Sequence, residues 1–178
     1  MRRMIVWRRF HLAGAAAFTY PSAGEPRVAL LIPCFRETRR ARYFADVESE
    51  EARRFDPEVL AGTAEQLRGL ASRPNPPVVR NAVVVFTRQG EPGLAEYDRD
   101  LFWDIFGVPA FEQYLTRWSR LIATECDAHE GLHVCGPFAR RTDWNLDRSP
   151  CACGDPRPRL LLRPGFSTPA LDLCAQQP

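Results

Sequence analysis

Residues 82–111 read AVVVFTRQGEPGLAEYDRDLFWDIFGVPAF, and the fold class can be inferred from this stretch. Residues 82–87 are mostly β-branched and are apolar on both faces, as a central strand of a sheet requires. Apolar residues then recur at helical spacing over 94–106, and Gly107 indicates the end of that helix. Residues 108–111 predict a second short strand. A strand, a helix and a strand in this order predict an α/β protein.

Upstream of this unit the sequence predicts a strand and a charged helix. The continuous apolar run 27–35 predicts a buried strand that ends at its proline. Basic and acidic residues cluster in turn over 36–54, where apolar residues recur at about helical spacing. This pattern predicts a solvated amphipathic helix, supported by pairs such as Arg42 with Asp46.

A second helix is expected directly after it. The side chain of Asp56 can accept hydrogen bonds from free backbone N–H groups, and Pro57 suits the first turn of a helix. We therefore expect a helix over 57–71, which ends before the proline-rich stretch 73–77.

Downstream, the sequence predicts a hairpin. Residues 121–124 and 132–134 have the composition of strands and are joined by a turn over 125–131. We expect this hairpin to form an appendage to the α/β body. From Gly136 onward we expect mostly irregular structure.

The residues that indicate chemistry lie in this hairpin and just beyond it. Cys126 and His133 lie across the predicted turn from each other, and Cys151 and Cys153 form a Cys-x-Cys-Gly knuckle. The knuckle lies in a polar, proline-rich loop, where burial of two cysteines as simple apolar residues is not expected. Three thiols and one imidazole suit tetrahedral zinc, and backbone N–H groups of the knuckle can donate to the thiolates. We therefore predict a structural zinc site.

One ligand has an alternative. Cys135 lies two residues beyond His133 on the same predicted strand, and therefore on the same face. We favour His133, because its longer side chain can point across the turn towards Cys126, and we keep Cys135 as the alternative. Cys34 and Cys174 are remote in sequence, and we do not expect them to be ligands.

These expectations give a complete fold prediction. We expect one domain over 1–178, with an α/β fold: a small, partly parallel sheet flanked by helices, and an irregular C-terminal segment stapled by zinc. Its expected parts are a basic N-terminal segment over 1–24, an α/β body over 27–118, a zinc-binding hairpin and knuckle over 121–154, and a frayed tail over 165–178.

Composition limits the partners of the protein. The 178 residues are 45% hydrophobic and 26% charged, which describes a soluble domain with a sizeable core, and no run approaches the roughly 20 apolar residues of a membrane-spanning helix. All 24 basic residues are arginine, so lysine-dependent Schiff bases and P-loops are excluded. The net charge of +2 does not predict a polyanion partner such as nucleic acid.

The N-terminal residues resemble a leader only weakly. Arginines precede the apolar run 11–18, but that run is short, interrupted by glycine, and begins with histidine. We therefore expect a cytoplasmic protein, in which the six cysteines are reduced thiols or metal ligands.

No catalytic or cofactor-binding constellation is predicted. The sequence has no serine elbow, no His-Glu-x-x-His and no glycine-rich phosphate loop between a strand and a helix. Asp98, Asp100 and Asp104 are expected mostly on the outer face of the 94–106 helix, as solvated carboxylates.

The segment 83–134, together with the knuckle, resembles the middle of the phenylacetate-coenzyme A ligases of the acyl-adenylate-forming superfamily. In that family a strand, a Gly-Glu turn, a helix and a short strand are followed by Glu-Cys, a turn and Gly-Leu-His, and then by Cys-x-Cys-Gly before a Pro-Arg pair. The matching residues here are Gly90-Glu91, Glu125-Cys126, Gly131-Leu132-His133, Cys151 to Gly154, and Pro158-Arg159.

The resemblance implies common ancestry and a zinc-bearing fold, and the departures from the family bear on activity. Residues 114–118, Tyr-Leu-Thr-Arg-Trp, stand where the family has Tyr-Gly-x-Thr/Ser-Glu, and the phosphate loop and the lysine-bearing lid are missing. Adenylation needs such groups to stabilise phosphate charge and to hold a metal ion. We therefore expect a degenerate relative that acts as a binding or accessory module on another protein chain. The alternative is a subunit of a split ligase, which binds a small aryl or acyl carboxylic acid beside a separate nucleotide-binding chain.

Overall fold

One mixed sheet of nine strands organises the protein. The computed structural model describes residues 15–117, 119–140 and 146–162. The strand order is β2-β1-β3-β4-β5-β6-β7-β9-β8. The strands are β1 Val28–Leu30, β2 Ala41–Tyr43, β3 Val59–Gly62, β4 Ala82–Arg88, β5 Ala110–Leu115, β6 Leu121–Glu125, β7 Leu132–Val134, β8 Leu146–Asp147 and β9 Arg159–Leu160. The helices are α1 Glu50–Phe55, α2 Ala64–Ala71 and α3 Glu96–Phe106, and a 3₁₀ helix spans Gly136–Arg140. None of the described helices has the length and apolar character needed to cross a membrane.

The first five strands are parallel, and the α/β prediction is confirmed there. Strand β4 lies between β3 and β5, and its first six residues are all buried. Helix α3 ends where the sequence predicts, because Gly107 adopts a left-handed conformation and its N–H donates to the carbonyl oxygen of Trp103. The predicted strand at 27–35 is present as the shorter β1.

Alternation along the strands divides the core into two layers. Ala29, Leu60 and Val83 face a cluster that contains the apolar residues of all three helices, among them Leu67 and Phe102. Their neighbours in sequence, such as Val28, Val59 and Val84, pack on the opposite side with Phe35 and Phe86. All three helices therefore lie on one face of the sheet, so the expectation of helices flanking the sheet needs this refinement.

Two predicted helices upstream are shorter than expected: α1 occupies only the last part of 36–54, and α2 ends at Ala71 as predicted but begins at Ala64 rather than at residue 57. The 36–54 segment holds strand β2 and all of α1 except its last residue, and Arg42 pairs with Glu51 rather than with Asp46. Asp56 does not begin a helix: it ends α1 in a left-handed conformation with φ 51°. The segment after it forms strand β3, and Thr63, not Asp56, caps the shorter helix α2 through a capping box with Gln66.

The C-terminal part is more ordered than expected. Strands β6 and β7 form the predicted antiparallel hairpin, but β6 also pairs with β5, so the hairpin extends the main sheet rather than forming an appendage. Beyond Gly136 the chain adds a 3₁₀ helix and strands β8 and β9. The sheet is consequently not small. The segments 1–14 and 163–178, which include most of the basic segment, the predicted tail and Cys174, lie outside the described residues.

Candidate metal centre

Three neighbouring elements bring the four predicted ligands together. Cys126 directly follows β6, and His133 lies in β7, opposite Thr124 of β6. Strand β9 pairs with β7 through His133 and Arg159, and it thereby holds the preceding loop, with Cys151 and Cys153, beside the hairpin. Strand pairing therefore brings together ligands that are well separated in sequence.

The ligand atoms form a compact group. The three Sγ atoms and one imidazole nitrogen lie within 4.8 Å of one another. The Sγ atoms of Cys126 and Cys151 are 3.7 Å apart, and Sγ of Cys153 lies 3.2 Å from Nε2 of His133. Tetrahedral zinc, with Zn–S bonds of about 2.3 Å and Zn–N bonds of about 2.0 Å, separates two sulfurs by about 3.8 Å and a sulfur from a nitrogen by about 3.5 Å. The cluster could therefore bind a metal ion with little movement.

Burial differs across the cluster. His133 is 1% exposed and Cys151 is 6% exposed, whereas Cys126 is half-buried and Cys153 is exposed. The histidine and one thiol thus belong to the interior, while the knuckle leaves one thiol open to solvent. An ion can enter from the side of Cys153.

Surrounding backbone groups orient two of the ligands. Nδ1 of His133 lies 3.1 Å from the carbonyl oxygen of Arg157, so Nδ1–H donates there and Nε2 is left with its lone pair facing the thiols. The backbone N–H of Asp155 donates to Sγ of Cys153 over 3.4 Å, which is the kind of knuckle hydrogen bond that the sequence predicted. The side chain of Arg157 lowers the pKa of Asp155 to about 2, so this neighbouring carboxylate is ionised at neutral pH.

The thiols differ in acidity. A hydrogen bond from the backbone N–H of Cys153 lowers the pKa of Cys151 to about 7. Burial, followed by the neighbouring sulfurs, raises the pKa of Cys126 to about 12. Cys126 and Cys151 therefore do not ionise at the same pH, and a divalent cation would stabilise both as thiolates.

The alternative ligand and the expected non-ligands lie elsewhere. Sγ of Cys135 donates to the carbonyl oxygen of His133 over 3.7 Å and accepts from the Arg157 guanidinium, and it is not part of the four-atom group. Cys34 packs with the apolar cluster on the opposite side of the sheet from the helices. Burial raises the pKa of both thiols, as expected for cysteines in a protein interior.

A buried polar network next to the centre was not predicted from the sequence. Glu125 is 3% exposed, accepts from the backbone N–H of Glu112 over 2.6 Å, and pairs with Arg99 and with His129. Glu112 is also buried and accepts from the Thr87 hydroxyl. Two glutamates in strand positions are a signal for such a network, because a strand that is buried on both faces forces its polar residues to find internal partners.

The outer-face assignment of the α3 carboxylates is wrong for one residue. Asp98 is 6% exposed and accepts two hydrogen bonds from Arg68 of α2. Asp100 and Asp104 are exposed, as expected. Asp98 thus joins two helices.

Among the described residues, side chains occupy the point where the strand order of the parallel half reverses. Ligands of such sheets bind outside the carboxyl ends of the strands at this reversal, which here lies between β1 and β3. The Gln66 side chain spans the gap and donates to the Leu31 carbonyl oxygen, and a Cβ atom at Gly62 would lie 2.7 Å from the Leu31 side chain. Among the described residues, the Cys/His cluster is therefore the stronger candidate site.

The fold and the cluster define an α/β protein with a candidate metal centre built on an antiparallel extension of its sheet. Searches against protein-family models, curated proteins and solved structures find no match to this chain.

Proposed function

We propose that Cys126, His133, Cys151 and Cys153 hold one structural zinc ion. The observation that carries the proposal is the set of four ligand atoms within 4.8 Å. Three soft sulfurs and an imidazole are the ligand types that zinc prefers, and four protein ligands fill a tetrahedral shell. With no position left for water, the ion stabilises structure rather than activating a nucleophile.

The proposed ion would stabilise the C-terminal part of the sheet. The third apolar cluster, which includes Tyr114, Ile122 and Leu132, is smaller than the two clusters of the parallel half. Strands β8 and β9 have only two residues each, and they hold the knuckle loop through few ladder hydrogen bonds. A zinc ion would join this loop to the hairpin through coordination bonds, in a part of the fold that has little apolar packing.

We propose that the protein acts as a binding or accessory module without adenylation activity of its own. The residues that carry the likeness to phenylacetate-coenzyme A ligases include all four cluster members, and this supports retention of the metal-bearing part of such a fold. The motif residues for phosphate chemistry are missing from the sequence, and the chain has no lysine. A split-ligase subunit that works with a separate nucleotide-binding chain is the second proposal, and the same residues support it.

Metal analysis of untagged protein tests the zinc proposal. We expect about one equivalent of zinc for each chain, and less than about half an equivalent after Cys151→Ser. Cys34→Ser is the matched control, because it removes a thiol far from the cluster and should leave the zinc content unchanged. Equal zinc contents in all three proteins, or no zinc in the parent chain after growth with zinc, would contradict the proposal.

Activity is tested separately. We expect no ATP–pyrophosphate exchange by the isolated chain with aromatic or fatty acids. Exchange by the isolated chain would contradict the accessory role, and exchange only after addition of a nucleotide-binding chain encoded beside it would favour the split ligase.

A further inference from the structure

The exposed face of α3 combines aromatic and acidic side chains that have no partner among the described residues. Tyr97 is 72% exposed and Trp103 is 59% exposed, both unusually open for aromatic residues. Glu96, Asp100 and Asp104 lie between them on the same face of the helix, and none forms an ion pair with a described residue. We call these five residues the α3 face.

A second unpaired charge group lies in the connection between β1 and β2. Arg36, Arg39 and Arg40 are exposed, and their guanidinium groups form no ion pair with described residues. Arg68 and Arg99, by contrast, are paired with carboxylates. We call these three residues the arginine loop.

The fold keeps the two groups apart within one chain. Helix α3 packs on the helix-bearing side of the sheet, whereas Phe35, just before the arginine loop, packs in the cluster on the opposite side. The loop also adjoins the edge strand β2, three positions away from β4 and four from β5 in the sheet. Within the described residues of one chain, the α3 face and the arginine loop therefore do not meet.

We propose that the α3 face binds the arginine loop of a second copy of this chain. Guanidinium groups form two-pronged hydrogen bonds with carboxylates and also stack on aromatic rings, so they suit a face on which Asp100 lies between Tyr97 and Trp103. Because the two surfaces differ, the contact is head-to-tail, and each added copy leaves one α3 face and one arginine loop free. The proposed contact uses none of the four ligands of the metal centre, and the arginine loop adjoins β2, at the end of the sheet opposite β7 and β9.

Sedimentation of the full chain tests this contact. In about 50 mM salt we expect the average mass to rise above 20.2 kDa as the protein concentration rises to about 1 mM, and to return to that value in about 500 mM salt. Asp100→Arg should weaken association at least about tenfold, as like charges then face each other. Trp103→Ala should weaken it without a change of charge. Glu65→Arg is the control, because it makes the same charge change on the exposed side of α2.

A mixing experiment tests whether the contact joins the α3 face of one copy to the arginine loop of another. A variant with Arg36→Ser, Arg39→Ser and Arg40→Ser keeps its α3 face, and Asp100→Arg keeps its arginine loop. We expect each to be monomeric alone and the mixture to stop at a one-to-one dimer, because only one contact can form. Persistent monomers of the parent chain, equal effects of Asp100→Arg and Glu65→Arg, or no dimer in the mixture would overturn the proposal. Zinc content serves as the folding check in every variant.

Discussion

Nδ1 of His133 lies 3.1 Å from the backbone carbonyl oxygen of Arg157. This contact assigns the proton to Nδ1 and leaves Nε2 facing Cys153, in the protonation state that a metal-binding imidazole needs. It also joins β7 to the segment that leads into β9, so the orientation of the ligand depends on strand pairing far along the chain.

The first prediction separates the two alternative ligands. His133→Ala should lower the zinc content below about half an equivalent, because it removes the nitrogen donor and opens a cavity at a buried position. Cys135→Ser should leave zinc at about one equivalent, since its Sγ lies outside the four-atom group. Zinc analysis of both purified variants checks this. Loss of zinc from Cys135→Ser with retention in His133→Ala would reverse the assignment.

Removal of the metal by a chelator should destabilise the end of the sheet that contains β7 and β9 more than the end that contains β3 and β4. We expect hydrogen exchange to increase in β7, in β9 and in the knuckle loop after removal of the metal, because few other contacts hold these strands. Strands β3 and β4 belong to the two larger apolar clusters and should keep their protection. Exchange measured by mass spectrometry, peptide by peptide, checks this. A uniform increase over the whole chain would show instead that the metal supports the entire fold.

Gly131 should tolerate no side chain. Its φ of 115° is rarely adopted by other residues, and an added Cβ would lie 3.3 Å from the carbonyl oxygen of Leu160. We expect Gly131→Ala to lower the free energy of unfolding by about 2 kcal/mol. Gly69→Ala is the control: it fills open space in α2 and should raise the same quantity by about 0.5–1 kcal/mol. Urea unfolding of both variants measures the difference, and equal effects would contradict the role of Gly131.

Buried Glu112 should make stability depend on pH. Burial raises the pKa of its carboxyl above the ordinary value of 4.5, so the folded state holds this proton more tightly than the unfolded state. The protonated form contributes stability at low pH, and this contribution is lost as the pH rises through the raised pKa. Glu112→Gln, which keeps an acceptor for the Thr87 hydroxyl, should therefore gain stability relative to the parent chain between about pH 4.5 and neutrality.

Urea unfolding at several pH values measures this difference. Glu65→Gln, at an exposed position on α2, is the control and should show the same pH slope as the parent chain. A Glu112→Gln variant whose stability changes with pH as the parent's does would contradict the prediction.

Some elements could be predicted because their state is dictated locally. The β-branched run of β4 has to be buried on both faces, and α3 combines helical spacing with a glycine at its end. The proximity of Cys126, His133, Cys151 and Cys153 was also predictable, because polar loops rarely contain paired cysteines without a ligand role. For β4 and α3, neighbouring residues supply the physical reason, whereas the four ligands are brought together by the pairing of β6, β7 and β9.

Other elements depend on contacts made far along the chain. Strand β3 has only four residues and follows an apparent helix start at Asp56, yet it is a strand because β1 and β4 hydrogen-bond to it on both sides. Asp98 and Glu125 are buried because Arg68 and Arg99 reach them from other elements. Helical spacing and capping preferences are worth about 1 kcal/mol or less for each residue. The pairing of whole strands and the burial of charges outweigh such preferences, so tertiary contacts alone fix the state of these residues.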